Sequence, residues 1–201
     1  MQIYFSPTSP YVRKCLVSAH ELGLDGRIRL LPSNAHPVNR DREIVARNPL
    51  GKVPTFFTDE GQVLFDSRVI CEYLDTQAGG QLFPREGRAR WQALTLQSLG
   101  DGMLDAALIA RYEDVARPEP LRWPDWRAAQ LDKIETSLAH LEADIGVLDG
   151  RVDIGSIAIG CALWYADLRF DTMGWRERFP AVARWYDEFR QRPSMSATWS
   201  L

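Results

Sequence analysis

From residue 154 to residue 170 the sequence is nearly all apolar. The run is too short to cross a bilayer, so it reads as a helix buried by its neighbours on every side. Those neighbours must also be helices, and the flanking sequence supplies them. Residues 91–112 read as one long helix, and the proline-rich stretch 118–124 breaks it. Residues 126–145 read as a second helix, with Leu131, Ile134, Leu138, Leu141 and Ile145 on its inner face. A last helix, 181–190, carries Val182, Trp185, Tyr186 and Phe189, and the tail 195–201 closes the chain.

The first part of the chain has another rhythm. A brief strand at 2–5 precedes a helix whose apolar positions Val12, Cys15, Leu16, Ala19 and Leu22 recur at helical spacing up to Gly23, a C-cap. A strand at 27–31, a polar loop at 32–38 and a short helix ending near Arg47 follow. Strands at 55–58 and 63–65 flank a turn at 59–61, and a helix opens at Ser67 with Val69, Ile70, Tyr73 and Leu74 as its apolar stripe. The order βαβ then ββα is that of a small mixed sheet with helices packed on it. Gly, Pro and charge gather at 79–87, as in a linker. The expected organisation is an α/β domain at 1–78, a linker at 79–87 and an all-helical domain at 88–201.

With 201 residues, 45% hydrophobic and 25% charged, the chain can bury one sizeable core or two small ones. A formal charge of −3 lacks the basic surplus of a nucleic-acid binder. Cys15, Cys71 and Cys161 have neither metal-like nor disulfide-like spacing and fall on apolar helix faces, so reduced, buried thiols are expected. With no signal peptide and no apolar run of membrane-crossing length, a cytoplasmic protein without membrane association is expected.

Three separated pieces carry chemistry. In Ser6-Pro7-Thr8-Ser9-Pro10-Tyr11, Ser9 takes an N-cap position and Pro10 the first helical one. Unpaired backbone donors and the positive end of the helix dipole leave this point together, which favours an anion or a thiolate there. In Asn48-Pro49-Leu50-Gly51-Lys52-Val53-Pro54 a proline leads a strand, and a cis Val53–Pro54 peptide would turn the Val53 amide and carbonyl outward to pair with a peptide-like ligand. Asp66-Ser67 opens a helix and offers a hydroxyl and amides to an anion, with the Asp66 carboxylate beside them for an ammonium group.

In this order and spacing the three pieces resemble the glutathione transferase family, and the resemblance runs over essentially the whole chain. It implies a thioredoxin-like first domain and an all-helical second domain. It also implies glutathione as co-substrate, with no metal or other cofactor. By resemblance Val53 and Pro54 hold the cysteinyl unit of glutathione, and Asp66 and Ser67 hold its γ-glutamyl end. Lys52 could reach a carboxylate of the peptide, and Asn34 and His36 lie where other members contact the glycyl end. Ser9 stands where serine-type members place their active hydroxyl, donating to the glutathione sulfur. Ser6 and Thr8 are close enough in sequence to share that task. Cys15 is not at the active position, which disfavours the reductase chemistry of cysteine-type members. The family usually begins its central helix with Ser or Thr, then Asp three residues later; here Asp153 and Ser156 exchange these places, with Val152 and Ile157 as the apolar pair around the cap.

The resemblance implies conjugation of glutathione to a small hydrophobic electrophile, as in detoxification, by a homodimer. Tyr11, Met103, Ala107, Arg111, Tyr112 and Trp164 are the candidates to line the electrophile pocket. Arg111 interrupts an apolar stretch and wants a partner, either Glu113 or Asp114 on the surface or an acidic co-substrate. The alternatives are a glutathione-dependent isomerase or peroxidase using the same thiolate, and a non-catalytic interaction module, for which a disabled glutathione site would be expected.

Overall fold

The structure, a computed structural model, describes residues 1–198. The chain divides into two compact units, one made of Met1–Arg90 together with the segment from Pro193 onward, the other of Trp91–Arg192.

The first unit is built on a four-stranded sheet in the order β2-β1-β3-β4, with β1 Gln2–Phe5, β2 Arg29–Pro32, β3 Phe56–Phe57 and β4 Val63–Leu64. β1 runs parallel to β2 and antiparallel to β3, and β3 runs antiparallel to β4. The second strand starts two residues later than the sequence suggests. A 3-10 turn occupies Asp25–Arg27, and Ile28 N–H donates to Asp25 O, so pairing begins with Arg29 N–H donating to Met1 O at 3.1 Å.

Helix α1, Pro10–Glu21, ends as its sequence predicts: Gly23 takes φ +66°, its N–H donates to His20 O, and Leu24 N–H donates to Ala19 O. This is the paired bonding that a left-handed glycine allows at a helix end. α2, Arg42–Val45, is short, and α3, Ser67–Gln77, packs on α1. The buried face of α3 is Ser67, Ile70, Cys71 and Leu74. Val69, expected on that face, is 47% exposed instead; one residue before Ile70, it lies about 100° around the helix from the packed side. Cys15, Cys71 and Cys161 are buried and form no disulfide.

The linker is tied down. Asp75 accepts from the N–H groups of Gln81 at 2.7 Å and Leu82 at 2.6 Å, and both Leu82 and Phe83 are buried. The tail differs from the expected continuous helical domain, because α9, Pro193–Ala197, packs against α1. The buried Arg13 guanidinium donates to Met195 O at 2.8 Å and to Thr198 O, and Ser194 Oγ donates to Glu21. Residues 199–201 of the tail lie outside the described residues.

The second unit is helical. α4, Gly87–Val115, runs into it; α5 is Pro124–Ala143, α6 is Ile154–Arg169, α7 is Trp175–Arg178 and α8 is Pro180–Phe189. α5 begins two residues before the expected start because Pro124 occupies its first turn, where its missing N–H costs no bond. Its buried face is Gln130, Ile134, Leu138 and Leu141, with Leu131 and Ile145 only half-buried. α6 is buried continuously from Ile154 to Ala166, the central helix that its composition demands. Two glycines let other backbones approach it: a Cβ on Gly100 of α4 would stand 2.7 Å from the Ala158 carbonyl carbon, and one on Gly155 would stand 2.8 Å from Ala93 O. Among the described residues, no helix is long and apolar enough to cross a membrane.

Candidate functional site

The register of the sheet brings the three chemical pieces to one end. Ile3 of β1 pairs with Phe56 of β3, and Phe56 pairs with Leu64 of β4. Because β3 runs against both neighbours, the end of β1, the start of β3 and the end of β4 lie side by side. The segments attached there are Ser6–Ser9, Val53–Pro54 and Asp66–Ser67. Parallel β2 ends at this edge as well, with Phe5 opposite Pro32, and Ser33 Oγ donates to Phe5 O at 2.8 Å.

Ser9 caps α1. Its Oγ accepts from Val12 N–H at 3.3 Å, and its own N–H donates to Ser6 O at 3.0 Å. An Oγ that accepts from the helix still has its proton to donate outward. Ser6 is half-buried and Thr8 exposed, and neither side chain caps the helix. Tyr11 lies half-exposed in the first turn of α1.

The Val53–Pro54 peptide is cis, as is Phe65–Asp66. Tyr4 N–H donates to Thr55 O at 2.9 Å, which joins the loop to the sheet just after Pro54. Among the described residues, neither the Val53 amide nor its carbonyl finds a partner. The loop before it is braced from inside by two residues that carry no motif signal. Thr55 Oγ1 donates to Lys52 O at 2.8 Å, and buried Asn48 donates through Nδ2 to Thr55 Oγ1 at 2.9 Å while its Oδ1 accepts from Leu50 N–H at 3.0 Å. Gly51 takes φ +63°, with Val45 and Arg40 packed 3.0–3.1 Å from where a Cβ would stand. Lys52 is exposed on this loop.

At the third piece Asp66 caps α3, its Oδ1 accepting from Arg68 N–H at 2.9 Å. The carboxylate is exposed, whereas Ser67 is only 2% exposed. Among the described residues, the Ser67 N–H and Oγ have no partner within the chain. Asn34 and His36 serve the neighbouring loop. Asn34 N–H donates to Asp41 Oδ2 at 2.9 Å, and His36 Nδ1 accepts from the N–H groups of Val38 and Asn39. The Asn34 amide, with those of Glu43 and Ile44, holds the Asp41 carboxyl below the usual carboxylate range. Among the described residues, no group of His, Cys, Asp and Glu side chains could hold a metal ion.

In the second unit Met103, Ala107 and Trp164 are almost wholly buried, while Arg111 and Tyr112 are half-exposed. Glu113 and Asp114, the possible surface partners of Arg111, are engaged elsewhere. Glu113 accepts from Trp123 N–H at 2.6 Å and Arg117 Nε at 2.8 Å, and Asp114 accepts from Arg127 Nε at 2.8 and 3.0 Å. The Trp164 and Tyr165 rings lie 6.2 Å apart. Burial pushes the Tyr165 phenol up, against the pull of Arg169 and Arg111, and burial with the neighbouring Tyr165 pushes Tyr112 up.

Residues 8–77 match the family described as glutathione S-transferase, N-terminal domain, and residues 124–188 match glutathione S-transferase, C-terminal domain. The chain is 32% identical to the uncharacterized GST-like protein YibF of Escherichia coli, over 98% of each chain. A glutathione transferase family member from Pseudomonas fluorescens Pf-5, solved with bound glutathione, superposes with a TM-score of 0.96 at 46% identity, covering 100% of this chain and 98% of that one. A second structure from that organism, with bound S-(propanoic acid)-glutathione, gives a TM-score of 0.91 at 45% identity and full coverage of both chains.

Proposed function

This chain is a member of the glutathione S-transferase family, and from that premise we propose that it binds glutathione on its first unit and conjugates the thiolate to a small hydrophobic electrophile. The observation that carries the reading is the gathering of Ser9, Val53–Pro54 and Asp66–Ser67 at one edge of the sheet, each offering groups that the chain leaves unused. The glutathione held by the related Pseudomonas structure supports it.

In this reading the Val53 amide and carbonyl pair with the cysteinyl unit as a strand partner would. Ser67 N–H and Oγ receive the γ-glutamyl carboxylate at the start of α3, and Asp66 takes the ammonium group. Lys52 stands ready for a carboxylate of the same peptide. The sulfur then lies at the start of α1, where Ser9 Oγ–H donates to it. An ordinary thiol titrates near ~8.5, and lowering it by about two units takes ~2.7 kcal/mol of preference for the anion. A hydrogen bond to a charged acceptor contributes about 1.5–3 kcal/mol and a helix N-terminus about 0.3–1, so the two suffice. The thiolate forms a C–S bond with the electrophilic carbon. A leaving group departs with its electron pair, or an activated double bond takes up a proton from solvent at the neighbouring carbon. The reading extends to a cytoplasmic homodimer, which light scattering of the purified protein checks.

The test is calorimetric binding of reduced glutathione to wild type and Ser9→Ala, with the ultraviolet difference band of thiolate read in parallel. Binding by both proteins, with the band in wild type only, is expected. No binding by either overturns the catalytic reading and favours an interaction module.

A further inference from the structure

Partly buried arginines in the second unit are, as a rule, held by carboxylates. Arg127 pairs with Asp114, Arg151 with Asp153, and Arg176 with Asp167 and Asp187. Arg111 on α4 and Arg169 at the end of α6 depart from this. Glu113 and Asp114 are engaged by Arg117, Trp123 and Arg127, as described above. The acid nearest Arg169, Asp167, accepts from Trp175 Nε1 at 2.9 Å and from Arg176 at 2.6 and 3.1 Å. Among the described residues, no carboxylate pairs with Arg111 or Arg169, and Arg169 Nε is buried with no acceptor.

Both guanidinium groups address one hydroxyl. Tyr165 lies four residues before Arg169, one turn earlier on the same face of α6, and Arg169 is its hydrogen-bonding neighbour. Arg111 comes from α4, close enough for its charge to act on the same phenol. Tyr165 is 3% exposed and its burial keeps it protonated, so it is a further donor and does not supply the missing anion. Two cations and a phenol facing each other without an acceptor are costly to hold in a half-dry setting. One planar anion would satisfy all three, and guanidinium geometry suits a carboxylate.

We propose that Arg111, Arg169 and Tyr165 form a carboxylate-binding site in the second unit, and that the electrophile conjugated by this protein is an organic acid held there by its carboxylate. The second half rests on the transferase reading above; the first does not.

Two measurements separate them. Calorimetry compares 3,5-dinitrobenzoate with the uncharged 3,5-dinitrobenzamide on wild type, Arg111→Met, Arg169→Met and Arg111→Lys. Wild type is expected to favour the acid at least tenfold. Either methionine variant should bring the ratio near one and the lysine variant should restore part of it, with glutathione affinity unchanged throughout. Arg111 is half-exposed on α4, so its methionine variant serves even if Arg169→Met does not fold. Equal binding of acid and amide by wild type, or a parallel loss of both in Arg111→Met, overturns the site.

The second measurement is turnover of 4-chloro-3,5-dinitrobenzoate against 4-chloro-3,5-dinitrobenzamide. The glutathione sulfur bonds to the chlorine-bearing carbon, chloride leaves with the bonding pair, and the thiol proton goes to solvent. A lower KM for the acid, lost in Arg111→Met, is expected. Acid-selective binding without turnover of either compound leaves the site standing and overturns its assignment to an electrophile.

Discussion

Asp153 and Ser156 cap each other: Asp153 N–H donates to Ser156 Oγ at 3.0 Å, and Ser156 N–H donates to Asp153 Oδ1 at 3.1 Å. The other carboxylate oxygen accepts from Arg151 Nε at 2.8 Å, and Arg151 donates in turn to Gln92 at 2.6 Å. The cap therefore fixes the start of the buried central helix and holds an arginine as well.

Asp153→Ala is expected to destabilise the protein by about 1–2 kcal/mol and to slow folding, since it removes an N-cap and leaves Arg151 without its carboxylate. Ser156→Ala, which loses only the reciprocal half, costs less. Urea denaturation midpoints and refolding rates check both, and an unchanged midpoint for Asp153→Ala would remove the argument.

Gly100 and Gly102 lie two residues apart on α4 yet should respond in opposite directions. A Cβ on Gly100 meets the Ala158 backbone at 2.7 Å, whereas nothing lies within 4 Å of one on Gly102. Gly102→Ala should gain up to about 1 kcal/mol of helix propensity. Gly100→Ala should lose about 1–3 kcal/mol, because the α6 backbone must move to admit it. Thermal denaturation of the two variants gives the comparison.

Ser67→Ala keeps the Asp66 cap and removes the buried hydroxyl assigned to the γ-glutamyl carboxylate. Glutathione affinity should fall by roughly tenfold, about 1.4 kcal/mol, with the thermal midpoint of the unliganded protein little changed. Thr8→Ala, on an exposed side chain that caps nothing, should bind glutathione like wild type. Equal affinities in Ser67→Ala and wild type would move the γ-glutamyl end elsewhere.

Glu113 carries a pH dependence. Trp123 N–H first, and then Arg117, hold its carboxyl below the ordinary value of 4.5. The unfolded chain takes up this proton at higher pH than the folded one, so the contribution to stability is present above the ordinary carboxylate range and is lost as pH falls through the lowered folded value. Glu113→Gln should therefore lessen the loss of stability on acidification below about 4.5. Urea midpoints at neutral and acid pH, which should converge between variant and wild type on the acid side, test this.

The parts of this fold legible in the sequence are those whose partners lie within a turn of each other. The Gly23 helix end, the Ser9, Asp66 and Asp153 caps and the Thr58–Gly61 turn all bond over five residues or fewer, so residue type and spacing suffice. The buried character of α6 is legible as well, because an apolar run has no stable alternative to burial. Asn48 and Thr55, which brace the loop before Val53–Pro54, carried no such signal; an asparagine before a proline reads equally well as an ordinary turn.

What tertiary structure alone decided are the choices between partners equally near in the chain. Arg111 stood beside two acids, and its isolation follows only because Trp123, Arg117 and Arg127 claim them. The tail turned to α1 because Arg13, more than 180 residues earlier, offers donors to the Met195 and Thr198 carbonyls. The sequence by itself determined where helices start and stop, which runs are buried and which three pieces carry the chemistry. It could not determine long-range pairing, because a charge or hydrogen-bond donor specifies the kind of partner it needs and not its address. That is settled when the apolar faces close and the remaining polar groups take whatever lies within reach.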